Sequence, residues 1–200
     1  MPAAPAGTWI GEASADGARV LVAAIDRADR HGLDPERLLP PADRAVIRAA
    51  LEPGTPRADR QAAERLLTRA YLRWARALET PALAPIDVVV PEALPPPSDP
   101  RALLRRAART DDLAAHLEAL ERRHPFHDAL RAALAAERAG RARAARERLL
   151  IANLERTRLL PVTGRHLVVD TASQMLWMFD GRTLQGRMKV IVGTPDNPTP

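Results

Sequence analysis

Over the first ~160 residues, apolar positions recur at helical spacing between short breaks. Val20, Leu21, Ala24, Ile25 and Ala28 share one face of a helix that should end at His31-Gly32, because glycine suits a left-handed cap and Asp34-Pro35 disfavours continuation. A second, short helix is expected over about 42–51, stopping before Pro53-Gly54. Thr55 then reads as an N-cap, with Pro56 in the first turn and Asp59 near the positive end of the helix dipole. Leu66, Leu67, Ala70, Tyr71, Trp74 and Leu78 follow as a wide apolar stripe, which the spacing makes a packed core face rather than a stacking platform. Prolines 81, 85, 91, 95, 96, 97 and 100 allow no helix to cross that stretch, so 81–100 reads as a connector, extended around IDVVV. Ser98-Asp99-Pro100 and Thr110-Asp111-Asp112 open the next two helices, the second burying Leu113, Leu117 and Leu120. A further helix should begin near Pro125 and bury Phe126, Leu130 and Leu134, and 142–158 reads as helix through Leu149, Leu150, Ile151 and Leu154.

At Pro161 the period changes from helical to alternating. Residues 166–170 (HLVVD), 174–179 (QMLWMF) and 186–193 (GRMKVIVG) read as three strands, with Asp180-Gly181 a strong hairpin signal and Thr194–Pro200 a turn-rich loop. So small a meander cannot bury its apolar face alone, so apolar surface is expected at Val168, Leu176, Met178, Val190 and Val192. The expected fold class is α+β: a mostly helical unit over 1–158, then, over 159–200, the opening strands of a β unit that the sequence leaves unfinished.

Composition narrows the chemistry. The chain has 200 residues and no cysteine, which excludes disulfides, thiolate metal sites and a cysteine nucleophile within it. No apolar run approaches the ~18 residues a membrane span needs. Residues 1–17 carry neither the basic nor the apolar stretch of a secretory signal, so none is expected in this sequence. Of 30 basic residues only Lys189 is a lysine, and the wealth of Ala, Pro and Arg suits a GC-rich coding bias. Residues 1–100 carry 12 arginines against 14 acids, and 101–200 carry 18 basic residues against 11 acids. The densest basic stretch is Arg138, Arg141, Arg143, Arg146 and Arg148, interrupted by Glu137 and Glu147, a stripe able to meet an anionic surface. It lacks interleaved aromatics and any nucleic-acid fold motif, so nucleic acid is not an expected partner.

No assembled active site is legible. His124 and His127 stand three apart beside Asp128, but Pro125 intervenes and no second pair with ligand spacing follows, so His124 reads as a helix-start residue and no metal is expected. His31 sits where an imidazole favours the negative end of a helix, and His166 opens a strand. Ser14, Ser98 and Ser173 lie in no nucleophile elbow, and there is neither a phosphate loop nor a dinucleotide fingerprint, so neither a cofactor nor a catalytic residue is assigned.

Several motifs nevertheless carry a family likeness. Asn153 to Pro161 (NLERTRLLP), the strand run HLVVDTASQMLWMFDGRTLQGRMKVIVG and the loop Thr194–Pro200 together resemble the murein L,D-transpeptidases of Gram-negative bacteria, in which a scaffold domain precedes a YkuD-type catalytic fold. Upstream, His31-Gly32-Leu33-Asp34-Pro35 and the run Leu66–Ala77 (LLTRAYLRWARA) resemble stretches of the family's scaffold domain. The resemblance implies a cysteine enzyme of the cell wall that attacks a tetrapeptide stem, releases D-alanine and is resolved by a second stem's amine as a 3–3 cross-link. It also implies peptidoglycan stem peptides as partners and a periplasmic location. The family's S-H-G-C motif and nearby histidine follow the T-P loop, so no catalytic residue can be placed on this sequence and the chain alone is expected to be inactive. The peptidoglycan-binding module that many members insert before the catalytic part has no counterpart, because Arg123–Leu150 runs straight into the Asn153 stretch. Glu155, Arg156 and Arg158 stand nearest to function, and a salt bridge at the junction of the two units is favoured over contact with the stem. The alternatives are a non-catalytic envelope scaffold that binds a partner through the same helices, and a basic helical module for an anionic surface. No oligomeric state is implied.

Overall fold

The computed structural model describes residues 8–11, 16–81, 97–140 and 143–193. Most of the expected connector, Arg141 of the basic stripe and the Thr194–Pro200 loop therefore lie outside the described residues. The class is α+β. Helices α1 (Asp16–Asp26), α2 (Pro35–Leu38), α3 (Pro41–Ala50), α4 (Arg57–Glu79), α5 (Pro100–Arg109), α6 (Leu113–Glu121), α7 (Pro125–Ala139) and α8 (Ala144–Thr157) precede strands β1 (Arg165–Asp170), β2 (Met175–Asp180) and β3 (Thr183–Lys189). A 3₁₀ turn over Ala28–His31 follows α1.

Local chemistry sets these boundaries. Asp99 accepts from the N–H groups of Arg101 and Ala102 at the start of α5, and Asp112 from that of Ala115 at the start of α6. Gly32 closes the 3₁₀ turn with φ +71°, the conformation glycine adopts without cost. Asp34-Pro35 does more than stop a helix: Asp34 caps the short α2 by accepting from Glu36 N–H. Thr55 does not cap α4. Its hydroxyl donates backwards to the carbonyls of Glu52 (2.7 Å) and Ala49 (3.1 Å), closing the end of α3, and α4 starts from Pro56.

The main core lies where α1, α3, α4, α5 and α6 meet. Tyr71 and Trp74 are fully buried there, as the stripe predicts. Trp9 joins them from the N-terminal side, its ring 5.0 Å from that of Tyr71 and its indole N–H donating to Thr68. Glu64 fixes this segment by accepting from the N–H groups of Trp9 and Ile10, each at 2.9 Å. On the far side of the core, α7 and α8 pack side by side, tied at their facing ends by the ion pairs Arg138–Glu147 and Arg146–Glu137.

The strands form an antiparallel meander in the order β1-β2-β3. The third strand covers 183–189 rather than 186–193. Asp180 pairs with Thr183 across a tight link in which Gly181 takes φ +54°, so pairing resumes at once and a bulge at Met178/Phe179 absorbs the offset. Beyond Lys189 one bond, Val190 N–H to Gln174 O, continues the ladder, and Ile191 is fully exposed. The register puts His166, Val168, Trp177 and Phe179 on one face and Leu167, Val169, Leu176, Met178 and Met188 on the other. The first face packs on α7. The second is open, with Leu167 62% and Met188 54% exposed. Of the five positions expected to show apolar surface only Met178 is exposed; Val168, Leu176, Val190 and Val192 are half-buried, and β1 presents Leu167 and Val169 outward in place of Val168.

Candidate functional site

The polar residues that sequence reading treated one at a time converge where the 3₁₀ turn, α6, α7 and α8 meet. His31 and His127 are both fully buried, with rings nearly parallel and centroids 5.4 Å apart. His31 Nδ1 lies 3.1 Å from His127 Nε2, and His127 Nδ1 lies 2.9 Å from Thr157 Oγ1. The Thr157 hydroxyl also reaches the carbonyl of Leu154 at 3.0 Å, which only accepts. Its single proton therefore goes to Leu154, the hydroxyl oxygen accepts from His127 Nδ1–H, and His127 Nε2 accepts from His31 Nδ1–H. The result is one directed chain of hydrogen bonds running from the turn through α7 into α8, with both imidazoles neutral.

Charge surrounds this chain. Glu121 of α6 is buried, bonds to Arg30, and places a carboxylate oxygen 3.9 Å from His31 Nε2, which has no hydrogen-bond partner. Arg158, buried at the end of α8, donates to the carbonyl of His31 at 2.9 Å and pairs with Glu155. Burial, reinforced by Arg131, the His127 ring, Arg30 and Arg123, pushes His31 down to about 2. Burial, with Arg158, Arg123 and Arg131, takes His127 down to about 4, against the opposing pull of Asp128. The guanidinium groups of Arg123, Arg131 and Arg158 are likewise lowered, chiefly by burial.

A second cluster couples the sheet to the same helix. His124 caps α7 by accepting from Phe126 N–H at Nδ1, so the ring proton sits on Nε2. Its ring meets Phe179 edge-on at 4.5 Å and His166 at 5.4 Å, while Phe126 stands perpendicular to Trp177 at 5.4 Å. Arg182, in the β2–β3 link, donates to Asp128 at 2.7 Å and to the carbonyl of Arg123. His124 is pushed down to about 4 by burial first, then by His166 and Arg182.

This arrangement positions rather than reacts. Thr157 is committed to Leu154, and His127 presents it a proton where a general base would present a lone pair. Both imidazoles are wholly shielded from solvent. His124, His127 and Asp128 do not converge as ligands: their side chains turn to Phe126 N–H, Thr157 and Arg182 respectively, and among the described residues no group of three or more His, Cys, Asp or Glu side chains is placed to hold a metal. Of Glu155, Arg156 and Arg158, the first and third form a buried pair reaching back to the turn, whereas Arg156 is exposed and bonds to Asn153. Two arginines of the basic stripe are engaged internally: Arg138 pairs with Asp29 and Glu147, and Arg146 with Glu137. Sequence reading missed Glu121 and the His31–His127 contact. The one available signal was the pair of histidines placed against helix ends, His31 before a cap glycine and His127 in the first turn of α7.

A family model described as a scaffold domain matches residues 6–134. That span takes in α1 to the middle of α7, with His31, Glu121, His124 and His127, and stops short of α8 and the sheet. No curated protein and no solved structure matches the chain. No helix among the described residues is long and apolar enough to cross a membrane.

Proposed function

The chain belongs to the scaffold-domain family, and from that footing we propose that it is the scaffold portion of a peptidoglycan L,D-transpeptidase. In this reading residues 1–158 form the scaffold unit, and the segment from 159 opens the catalytic unit, whose cysteine and histidine lie beyond Pro200. The protein works in the periplasm on peptidoglycan stem peptides, and these 200 residues are inactive by themselves. The observation that carries the reading is the two-faced sheet: Phe179 and Trp177 lie against α7 at the end of the matched span, while Leu167, Val169, Met178 and Met188 form an apolar face of the kind a larger β unit would cover.

The scaffold's part is to hold the first strands in place. Arg182–Asp128 and the His124–Phe179 contact fix the β2–β3 hairpin on α7, and the Glu155–Arg158 pair fixes the segment leading into β1. The test is intact-protein mass spectrometry with a carbapenem, an acylating agent that captures a reactive thiolate as a thioester. The 200-residue chain is expected to show no adduct, and the same chain extended along its genomic reading frame to show one, on a cysteine in an S-H-G-C motif. A frame that ends at residue 200, or an extension that lacks that motif, contradicts the transpeptidase reading.

A further inference from the structure

In the second half of α4 the burial pattern sorts residue types with unusual rigour. Between Arg65 and Arg76 the exposed positions are Arg65, Arg69, Arg73 and Arg76, and every other residue is buried. Spacings of four, four and three put these arginines in one row along the helix. Helix α5, packed beside α4, adds exposed Arg101, Arg105, Arg106 and Arg109. Among the described residues two of these eight have an acid in range, each at arm's length: Arg73 lies 3.8 Å from Asp43, and Arg105 lies 3.9 Å from Asp99. Glu79, at the end of the row, is engaged by the N–H and hydroxyl of Ser98 at 2.9 and 2.7 Å. The other six have no acid within ion-pair range among the described residues, and like charges in such a row oppose each other.

Between the two helices lies a hollow of about 230 Å³ lined by Arg69, Arg73 and Arg76, by the Glu79 carboxylate that Ser98 engages, by exposed Pro100, and by buried Leu72 and Leu103 as its apolar floor. We propose that this groove docks an acidic peptide segment of a partner protein, with an aliphatic side chain seated over Leu72 and Leu103 and carboxylates in the arginine forks. Charge complementarity selects the anion, because guanidinium forks match carboxylates in two-point contact. The apolar floor selects a peptide over a polyphosphate, which has nothing to place there. A nucleic acid would want exposed aromatic rings, and a membrane surface would want exposed apolar side chains beside the arginines. Every large exposed hydrophobic residue among those described lies off α4 and α5.

The probe is a fluorescein-labelled peptide of alternating glutamate and leucine, followed by anisotropy. A lysine-leucine peptide, a single-stranded oligonucleotide, and vesicles of equal parts phosphatidylglycerol and phosphatidylcholine form the parallel arms. The glutamate-leucine peptide is expected to bind most tightly and to weaken about tenfold between ~50 and ~300 mM salt. The double variant Arg69→Gln/Arg76→Gln should bind it about tenfold more weakly, while Arg37→Gln, which removes an exposed arginine of α2, should leave it unchanged. Both altered positions are exposed, so the fold is retained, and a circular dichroism melt checks this. Failure to bind the acidic peptide, equal loss in Arg37→Gln, or preference for the oligonucleotide or the vesicles would overturn the proposal. Its readout is binding by the chain as it stands, so its outcome is independent of the carbapenem test.

Discussion

The core around Trp74 and the junction around His127 are equally hidden from solvent and made of opposite materials. The first is aromatic and aliphatic, assembled from one long helix and its neighbours, with Tyr71 and Trp74 fully buried. The second buries two imidazoles, two carboxylates and a guanidinium, supplied by the 3₁₀ turn, α6, α7 and α8. Apolar burial stabilises without regard to direction, whereas a hydrogen-bonded chain does so in one arrangement only. The apolar core thus gives the helices cohesion, and the polar junction gives α7, α8 and the strands beyond them a defined orientation.

The difference can be broken at its apolar end first. Trp74→Ala should cost about 4 kcal/mol in denaturant unfolding, through lost burial and a cavity among packed neighbours, and leave the pH dependence of stability unaltered. Arg158→Ala should cost about 3 kcal/mol, since it strips Glu155 of a buried cation and the His31 carbonyl of its donor. Replacing both partners of that pair by Leu and Met should restore most of the loss, a recovery that no second change at Trp74 would bring.

Acid should separate the regions next. His31, His124 and His127 are held neutral with values pushed to about 2, 4 and 4, whereas in the unfolded chain they titrate near the ordinary value of about 6.5. Below pH ~6.5 the unfolded state therefore binds more protons, so the stability is whole above that pH and is lost as pH falls toward 4. Urea titrations should show a slope of about 2 kcal/mol per pH unit near pH ~6.5, steepening to ~4 near pH ~5, since three protons differ between the two states. His127→Gln should lower that slope by about a third, since His31 and His124 remain, and Trp74→Ala should leave it unchanged.

The smallest effect expected is local. Asp128→Ala frees Arg182 and should cost about 1 kcal/mol, seen as faster amide exchange in β2 and β3 with α1 and α4 unchanged. Equal acceleration throughout would mean that the hairpin is held by something other than α7.

What was legible in the sequence follows the same division. The periodic stripe Leu66–Leu78, the Asp99 and Asp112 caps and the Gly32 turn are local facts of spacing and side-chain chemistry, and the structure repeats them. Thr55 reads as a cap of α4 because a hydroxyl between two helices can serve either; here it bonds the carbonyls of Ala49 and Glu52, and α4 has no side-chain cap. The third strand was misplaced because VIV attracts a strand assignment, while the tight link after Asp180 decides where pairing resumes. The junction was illegible for a deeper reason. His31 and His127 are 96 residues apart, and nothing periodic announces that a polar residue will find its partner that far along the chain. Gly32 hints at the closeness: a Cβ there would stand 3.2 Å from Ile151 of α8, so Gly32→Ala should cost about 1–2 kcal/mol by combining an unfavourable positive φ with a close contact.

The directed chain from His31 through His127 to Thr157 is tested most directly by the imidazole nitrogen resonances of the labelled protein at pH 5.5. Both rings are expected to be neutral there, each with its proton on Nδ1 and a lone pair on Nε2. Imidazolium signals for His31 or His127 at that pH, or a neutral His127 protonated on Nε2, would contradict it.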